Sequence, residues 1–315
     1  MTRFGKMVYN LAFVQAIIST SKKIVLPGFQ GLSLYVVSKF FVKEINNTKL
    51  TERAAAVTYN FLMAIAPTML FLFSLIPYFP LQGVQQTILI TLKMVTPNAH
   101  IYQTASKIVI DFMTVQRKDV LSFGILLTLF FSSNGIMGLM RSFDRSQALY
   151  KKRTGLSRRW TAIKLTFVMI GLSLISLALF IIQIKELNGL ILRIFHNIVA
   201  VKLISFLILI LIIFCAISII YRYGASLTHQ FRFVTTGSVF ATILSVIATG
   251  VFFYLVNHII NYNKVYGSIG TIIAFMVWVW LNTLVILIGY ELNISIRLGQ
   301  ISRTKDVVKK HDTQA

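Results

Sequence analysis

LISFLILILIIFCAISIIY, residues 203–221, runs for 19 residues without a charge. A helix needs about 20 apolar residues to cross the hydrocarbon of a bilayer. This stretch therefore reads as a spanning helix. Five more stretches of the same kind lie along the chain. To within a few residues they run from Ala54 to Phe79, Val120 to Met140, Ala162 to Ile184, Phe233 to Val256 and Thr271 to Asn293. With Leu203 to Tyr221 they make six expected spans.

Composition agrees. The 315-residue chain is 56% hydrophobic and only 13% charged, and its mean hydropathy is +0.76. A water-soluble domain carries about 25% charged residues. Too little polar surface remains here to wrap a soluble globule. Length alone would fit one large or two small soluble domains. The apolar runs replace that expectation with one all-α, polytopic membrane bundle.

The net charge is +22, and its placement explains it. Eight Lys and Arg precede the first span. Eight more lie between the second and third, counting Lys164 just inside the third. Two join the fourth and fifth spans, and five lie in the C-terminal tail. These regions hold 23 of the 31 basic residues, and the three remaining connections hold 8. Basic segments stay on the cytoplasmic side. Both termini, the second-to-third loop and the fourth-to-fifth loop are thus expected inside. The densest cluster, Lys151, Lys152, Arg153, Arg158 and Arg159, suits anionic headgroups of the inner leaflet. Nucleic acid is a poor match, because that cluster lacks interleaved aromatic residues on which bases stack.

The N-terminal 53 residues read as an interfacial segment. Phe4, Met7, Val8, Leu11, Val14 and Ile18 recur at helical spacing, as do Leu34, Val37, Phe41 and Ile45. Each set predicts an amphipathic helix on the inner leaflet. A signal peptide would also start with basic then apolar residues, but no small-residue cleavage site follows. Residues 54–293 form the expected six-span domain. Its insert at 80–119 carries two stripes, from Leu81 to Val95 and from Ile101 to Val115, with Thr96 and Pro97 between them as a cap and first-turn pair. These predict two short extracytoplasmic helices. Residues 294–315 form a cytoplasmic basic tail.

Catalytic patterns are missing from the sequence. The histidines His100, His196, His229, His258 and His311 are scattered, with no ligand-spaced partner, so no metal or cofactor is expected. Cys215, the one cysteine, lies in an apolar run and reads as a small hydrophobe. Nucleotide-binding, hydrolase and metalloprotease motifs are absent from the chain.

Polar residues inside the spans are the functional candidates. Asn60 and Pro67 share a face of the first span, and Pro67 should kink it. Asn134 closes the second span, with Arg141 just beyond. Ser238, Ala241, Ser245 and Ala248 stripe the fifth span, beside Gly237 and Thr249. Such small residues form a packing seam or a substrate path. Asn282, Gly289 and Asn293 stripe the sixth span. Glu291 near its end reaches the headgroups, pairs with a cation such as Arg222, or titrates.

Tyr266 to Asn293, YGSIGTIIAFMVWVWLNTLVILIGYELN, resembles the closing signature of the YihY/virulence factor BrkB family of bacterial inner-membrane proteins. Tyr266, Gly267, Ser268, Gly270, Trp278, Gly289, Glu291, Leu292 and Asn293 carry the match. Arg53, Ala54, Ala55, Ala56, Tyr59 and Pro67 are similar to the family's opening motif. Tyr221 to Tyr223 and Gly237 add a third point. The resemblance spans about residues 35–300. Gly224 and Ala225 stand where the family often has a proline, and Asp144 where it often has asparagine.

The resemblance implies an all-helical protein of about six spans. Some members are associated with serum resistance or envelope lipid handling. The family has also carried a ribonuclease BN label. The nine acidic residues here are dispersed, whereas phosphodiester cleavage needs clustered carboxylates with metal or a His/Lys pair. The sequence thus predicts a transporter-like, non-enzymatic protein for an envelope lipid or small amphiphile. Arg53, Asn60, Pro67, Asn134, Arg141, Arg222, Asn282 and Glu291 would line or gate its cavity. The other reading is a structural factor that assembles envelope complexes. In a Cys215→Ser background, cysteines placed at Thr154 and Gln314 are expected to react with an impermeant maleimide only after the membrane is opened. Labelling of just one of them in intact cells contradicts the expected topology.

Overall fold

The computed structural model describes residues 12–75, 89–90, 92–93, 99–114, 118–144, 149–151, 153–185, 198–258 and 268–312. Nine α-helices lie among the described residues. They are α1 (Ala12–Lys23), α2 (Leu34–Asn47), α3 (Leu50–Leu75), α4 (Ala99–Thr114), α5 (Lys118–Phe143), α6 (Gly155–Lys185), α7 (Ile198–Ile219), α8 (Thr236–His258) and α9 (Ser268–Asp312). A π-turn, Ile220–Gly224, continues α7. Strand pairing among the described residues is limited to a bridge between Tyr150 and Leu227. The all-α expectation holds.

Five helices are long and apolar enough to cross a membrane, and they coincide with the second to sixth expected spans. They cover Ser122–Phe143, Gly155–Ser176, Phe206–Gly224, Thr236–Val256 and Ile272–Thr304. The first expected span falls in α3, a helix of 26 residues, and residues 76–79 of that stretch lie outside the described residues. Only 17 to 39% of each crossing window is buried against the protein. Leu126, Phe167, Leu174, Leu207, Ile243 and Val251 point outward. Water would penalise such a belt. Hydrocarbon does not, since lipid tails are as apolar as leucine.

Contacts that lipid cannot provide therefore set the packing. α3 and α5 pair antiparallel over a long seam. Val57 and Asn60 lie against Gly138, Phe61 lies against Gly135, and the Thr128 hydroxyl donates to the Pro67 carbonyl at 2.7 Å. α8 and α9 form the second antiparallel seam. It runs from Gly237 beside Gly289 and Asn293 to Thr249 beside Trp278 and Asn282. A Cβ on Gly237 would sit 2.1 Å from the Gly289 carbonyl oxygen. The expected small-residue stripe is thus a packing seam here, with Ala241 against Gly289 and the Ser245 hydroxyl hydrogen-bonded to Asn282.

One end of the bundle gathers the starts of α3, α6 and α8 with the ends of α5 and the π-turn. This is the basic end, where Arg153, Arg158 and Arg159 gather. Lys151 N–H donates to the Ser226 carbonyl at 2.7 Å, and Thr228 N–H donates to Leu149 at 3.0 Å, which ties two loops together. Beneath them Phe143 stacks on Tyr290 at 4.1 Å between centroids, with Tyr221 and Phe231 edge-on.

Two expectations change in detail. The C-terminal segment from 294 continues α9 as helix to Asp312 rather than ending the span at Asn293. The apolar face of α2 docks on that extension: Val37, with Leu34, Val36 and Phe41, packs with Phe29, Leu32, Leu292 and Ile296. Protein thus covers part of a stripe expected to meet lipid. In the insert, α4 matches the second expected helix, while residues 81–88 and 94–97 lie outside the described residues.

Overpacking a core costs about 1–3 kcal/mol, and a backbone obstruction leaves little room for relaxation. Gly237→Val is expected to lower the melting temperature in detergent by roughly 4–10 °C. Gly171→Val, whose Cβ meets open space, is expected to leave melting unchanged. Equal melting of the two variants contradicts the close α8–α9 approach.

Candidate functional site

The most enclosed charge in the described structure belongs to Glu291. Its side chain is 1% exposed, and its Oε1 lies 3.3 Å from Arg53 Nη1. Arg53 is brought there by the first turn of α3 and also donates to the Thr48 carbonyl at 3.3 Å. The expected partner, Arg222, is not the cation found in this ion pair. It lies in the π-turn with its guanidinium 5.5 Å from the Tyr223 ring centroid. The reason is positional. The π-turn directs Tyr221 inward instead, and its hydroxyl donates to the Ile286 carbonyl at 2.6 Å.

The neighbours of Glu291 each have a partner. Gly289 lets α8 and the Tyr221 hydroxyl approach, since a Cβ there would meet both at about 2.6 Å. Leu292 packs under Val37 of α2. Asn293 Oδ1 accepts the Gly237 N–H at 2.8 Å, and its Nδ2 donates to Thr235 Oγ1 at 2.9 Å. Thr235 and Ser238 close the start of α8 reciprocally, each backbone N–H donating to the other's hydroxyl at 3.1 Å. That is the reciprocal logic of a capping box, with serine in place of glutamate.

The remaining candidates are dispersed as clamps. The Asn60 amide donates to Ala56 on its own helix. Pro67 supplies the carbonyl that Thr128 bonds. Asn134 accepts from Arg159, which also donates to Phe130 at 3.0 Å and lies over its ring. Arg141 is exposed and reaches the Met137 sulfur. Asn282 ties Ser245, Thr249 and the Trp278 carbonyl together.

The expected headgroup cluster divides the same way. Arg153 donates to the carbonyls of Tyr223, Gly224 and Ala225, capping the π-turn where its carbonyls lack helical partners. Arg158 pairs with Asp144 at 3.2 Å, and Asp144 also accepts from Ser226. Lys151 is exposed, and Lys152 lies outside the described residues.

Two of the cavities among the described residues lie elsewhere, and none of the eight candidates lines either. The larger, about 500 Å³, opens at the basic end between Gly28 and Gln30, the loop from Gln230 to Thr236, and α9 from Asn293 to Gln300. Arg232 and Arg297 bring positive charge to it. The smaller, about 240 Å³, is an apolar groove between α3 and α9, lined by Tyr59, Leu62, Met276, Val277 and Trp280 among others. The sequence reading missed Arg297 and Gln300 because it ended the sixth span at Asn293. Extending the Gly289–Asn293 spacing would have reached Ile296 and Gln300 on the same face.

The virulence factor BrkB profile matches residues 41–312. The chain belongs to that family. It is 29% identical over 251 residues to a ribonuclease-like protein, YfkH, of Bacillus subtilis (strain 168), covering 77% of this chain and 88% of that one. A UPF0761 membrane protein of Mannheimia succiniciproducens, MS0032, is 23% identical, over 80% of this chain and 86% of its own. A UPF0761 membrane protein of Alcanivorax borkumensis is 22% identical, over 84% of this chain and 60% of its own. No solved structure matches. In this BrkB member, Gly289, Glu291, Leu292 and Asn293 join α9 to α8, α3 and α2 at one place.

Removing one partner of a buried ion pair costs about 3–5 kcal/mol, while replacing both with apolar groups can be neutral. Arg53→Met and Glu291→Met are each expected to lower melting in detergent strongly, and the double variant is expected to recover most of the loss. A double variant whose losses simply add contradicts the pairing.

Proposed function

We propose that this BrkB-family membrane protein resides in the bacterial cytoplasmic membrane with both termini inside, and handles an envelope lipid or small amphiphile without catalysing a reaction. The observation that carries the reading is the apolar groove between α3 and α9. Its volume, about 240 Å³, and its lining of Tyr59, Leu62, Met276, Val277 and Trp280 suit an acyl chain entering from the side. Trp280 anchors the groove by donating its indole N–H to the Thr51 carbonyl at 3.3 Å. Aromatic residues with one polar edge suit the membrane interface.

The orientation draws on the placement of 23 of 31 basic residues in one set of segments. The bacterial relatives named as membrane proteins support the location. The non-enzymatic reading is supported by the engagement of Asp144 and Glu291 in ion pairs with Arg158 and Arg53. A second reading, a scaffold that organises envelope complexes, is favoured by the interlocked basic end. Movement of lipid separates the two.

In proteoliposomes holding a fluorescent short-chain phospholipid, the protein is expected to speed exchange between leaflets or to a soluble acceptor. Val277→Trp fills the groove from its open side. It is expected to slow exchange about tenfold, the effect of about 1.4 kcal/mol of lost acyl contact. Exchange no faster than in protein-free vesicles overturns the lipid-handling reading and leaves the scaffold.

A further inference from the structure

We propose that the cavity at the basic end is a binding site for a phosphate group, presented by the headgroup of an anionic lipid. The proposal rests on the lipid-handling reading and names its ligand chemistry. About 500 Å³ is a common size for a small-ligand pocket. Two guanidinium groups, Arg232 and Arg297, line it, and none of its lining residues is acidic. Arginine forks match the oxygen geometry of phosphate and bind it bidentately.

Arg297 is already positioned. Its Nη1 donates to the His229 carbonyl at 2.6 Å, and its guanidinium lies 5.7 Å from the Phe231 ring centroid. That holds the fork in place while the rest of its N–H groups make no further hydrogen bond or ion pair among the described residues. Arg232 is exposed and likewise makes neither among them. Thr235, Thr236, Gln30, Gln230 and Gln300 add neutral polar groups. α8 starts at the wall, and the positive end of a helix favours an anion nearby.

The surroundings favour a lipid as the source of the phosphate. Val234 in the wall is 63% exposed, and Ile24, Val25 and Leu26, just before Gly28, are exposed as well. An anion site with an exposed valine in its wall and an exposed apolar stretch next to it in the chain, placed where membrane-spanning helices end, fits a headgroup whose chains remain in the bilayer. A free phosphate ester would bind through the same groups, so the experiment includes both.

The full chain is placed in nanodiscs of phosphatidylcholine, with or without phosphatidylglycerol. Separate samples receive inorganic phosphate or glycerol phosphate. Ligand-induced melting shifts and native mass spectrometry read the binding. Phosphatidylglycerol is expected to raise the melting temperature and to remain bound. Arg232→Gln with Arg297→Gln is expected to weaken its retention about tenfold. Because Arg297 also holds the 229–231 loop, Arg232→Gln alone and Gln300→Glu are measured too, against their own ligand-free melting.

Phosphatidylglycerol binding that is weakened in all three variants supports the site and its lipid source. Binding of soluble phosphate only, lost in the same variants, keeps the phosphate site and overturns the lipid source. Binding of neither, or binding indifferent to Arg232→Gln and Gln300→Glu, overturns the proposal. Failed lipid exchange with intact headgroup binding removes only the handling reading. Exchange that proceeds without headgroup binding removes only this site.

Discussion

Helices surrounded by hydrocarbon gain nothing by leaving it, so each contact must offer something lipid cannot. Among the described glycines the one with least room for a side chain is Gly237 against the Gly289 carbonyl, where backbone meets backbone. It sets the depth and rotation of α8 against α9. Once these are fixed, Asn293 accepts the Gly237 N–H of α8, and Asn282 meets Ser245 and Thr249 about three turns away. The Tyr221 hydroxyl enters the same crowded point and binds α9 through Ile286. Polar groups inside the spans find partners on neighbouring helices, since hydrocarbon offers them no hydrogen bond.

Glu291 depends on that arrangement. It follows Gly289 by two residues, so it leaves α9 on a different side, toward α3 and Arg53. A carboxylate at this depth is costly unless a cation and further hydrogen bonds compensate it. The ion pair therefore works as a register mark more than as a source of stability. It fits only when α3 starts at the right place, and Lys49, just before α3, adopts a positive φ of 44° to begin it. Three helices are thereby referenced to about one turn of α9.

Much of this was legible in the sequence, for a definite reason. Spans follow from the length of apolar runs, and hydrocarbon punishes exceptions. The stripe of Ser238, Ala241, Ser245 and Ala248 marked a packing seam or a substrate path on α8, and the structure has it as a seam. What the stripe could not name was the neighbour, because small residues specify distance and not identity. The pairing of Glu291 failed for a related reason. Arg222 and Arg53 both stand at helix ends on the basic side, and one-dimensional order does not reveal that a π-turn aims Tyr221 inward. The cavity was missed through a boundary. Hydropathy falls after Asn293, yet α9 continues as helix, and its polar continuation forms the wall that carries Arg297 and Gln300.

The basic residues illustrate how one charge can meet two demands. A count of cations predicts orientation and treats each as facing lipid. Arg153, Arg158 and Arg159 instead spend their hydrogen bonds on the protein, on π-turn carbonyls, Asp144 and Asn134. Nothing in the orientation rule conflicts with this, since a guanidinium keeps its charge while it donates. Helix ends expose bare carbonyls on whichever side they emerge, and cations confined to that side are the donors available to them. The basic residues gathered at that end thus supply its caps. Arg232 and Arg297 stand apart from that group because their surroundings include open volume. A cation that caps a helix is spoken for, whereas one facing a cavity has free donor capacity, and that difference separates a clamp from a candidate binding site.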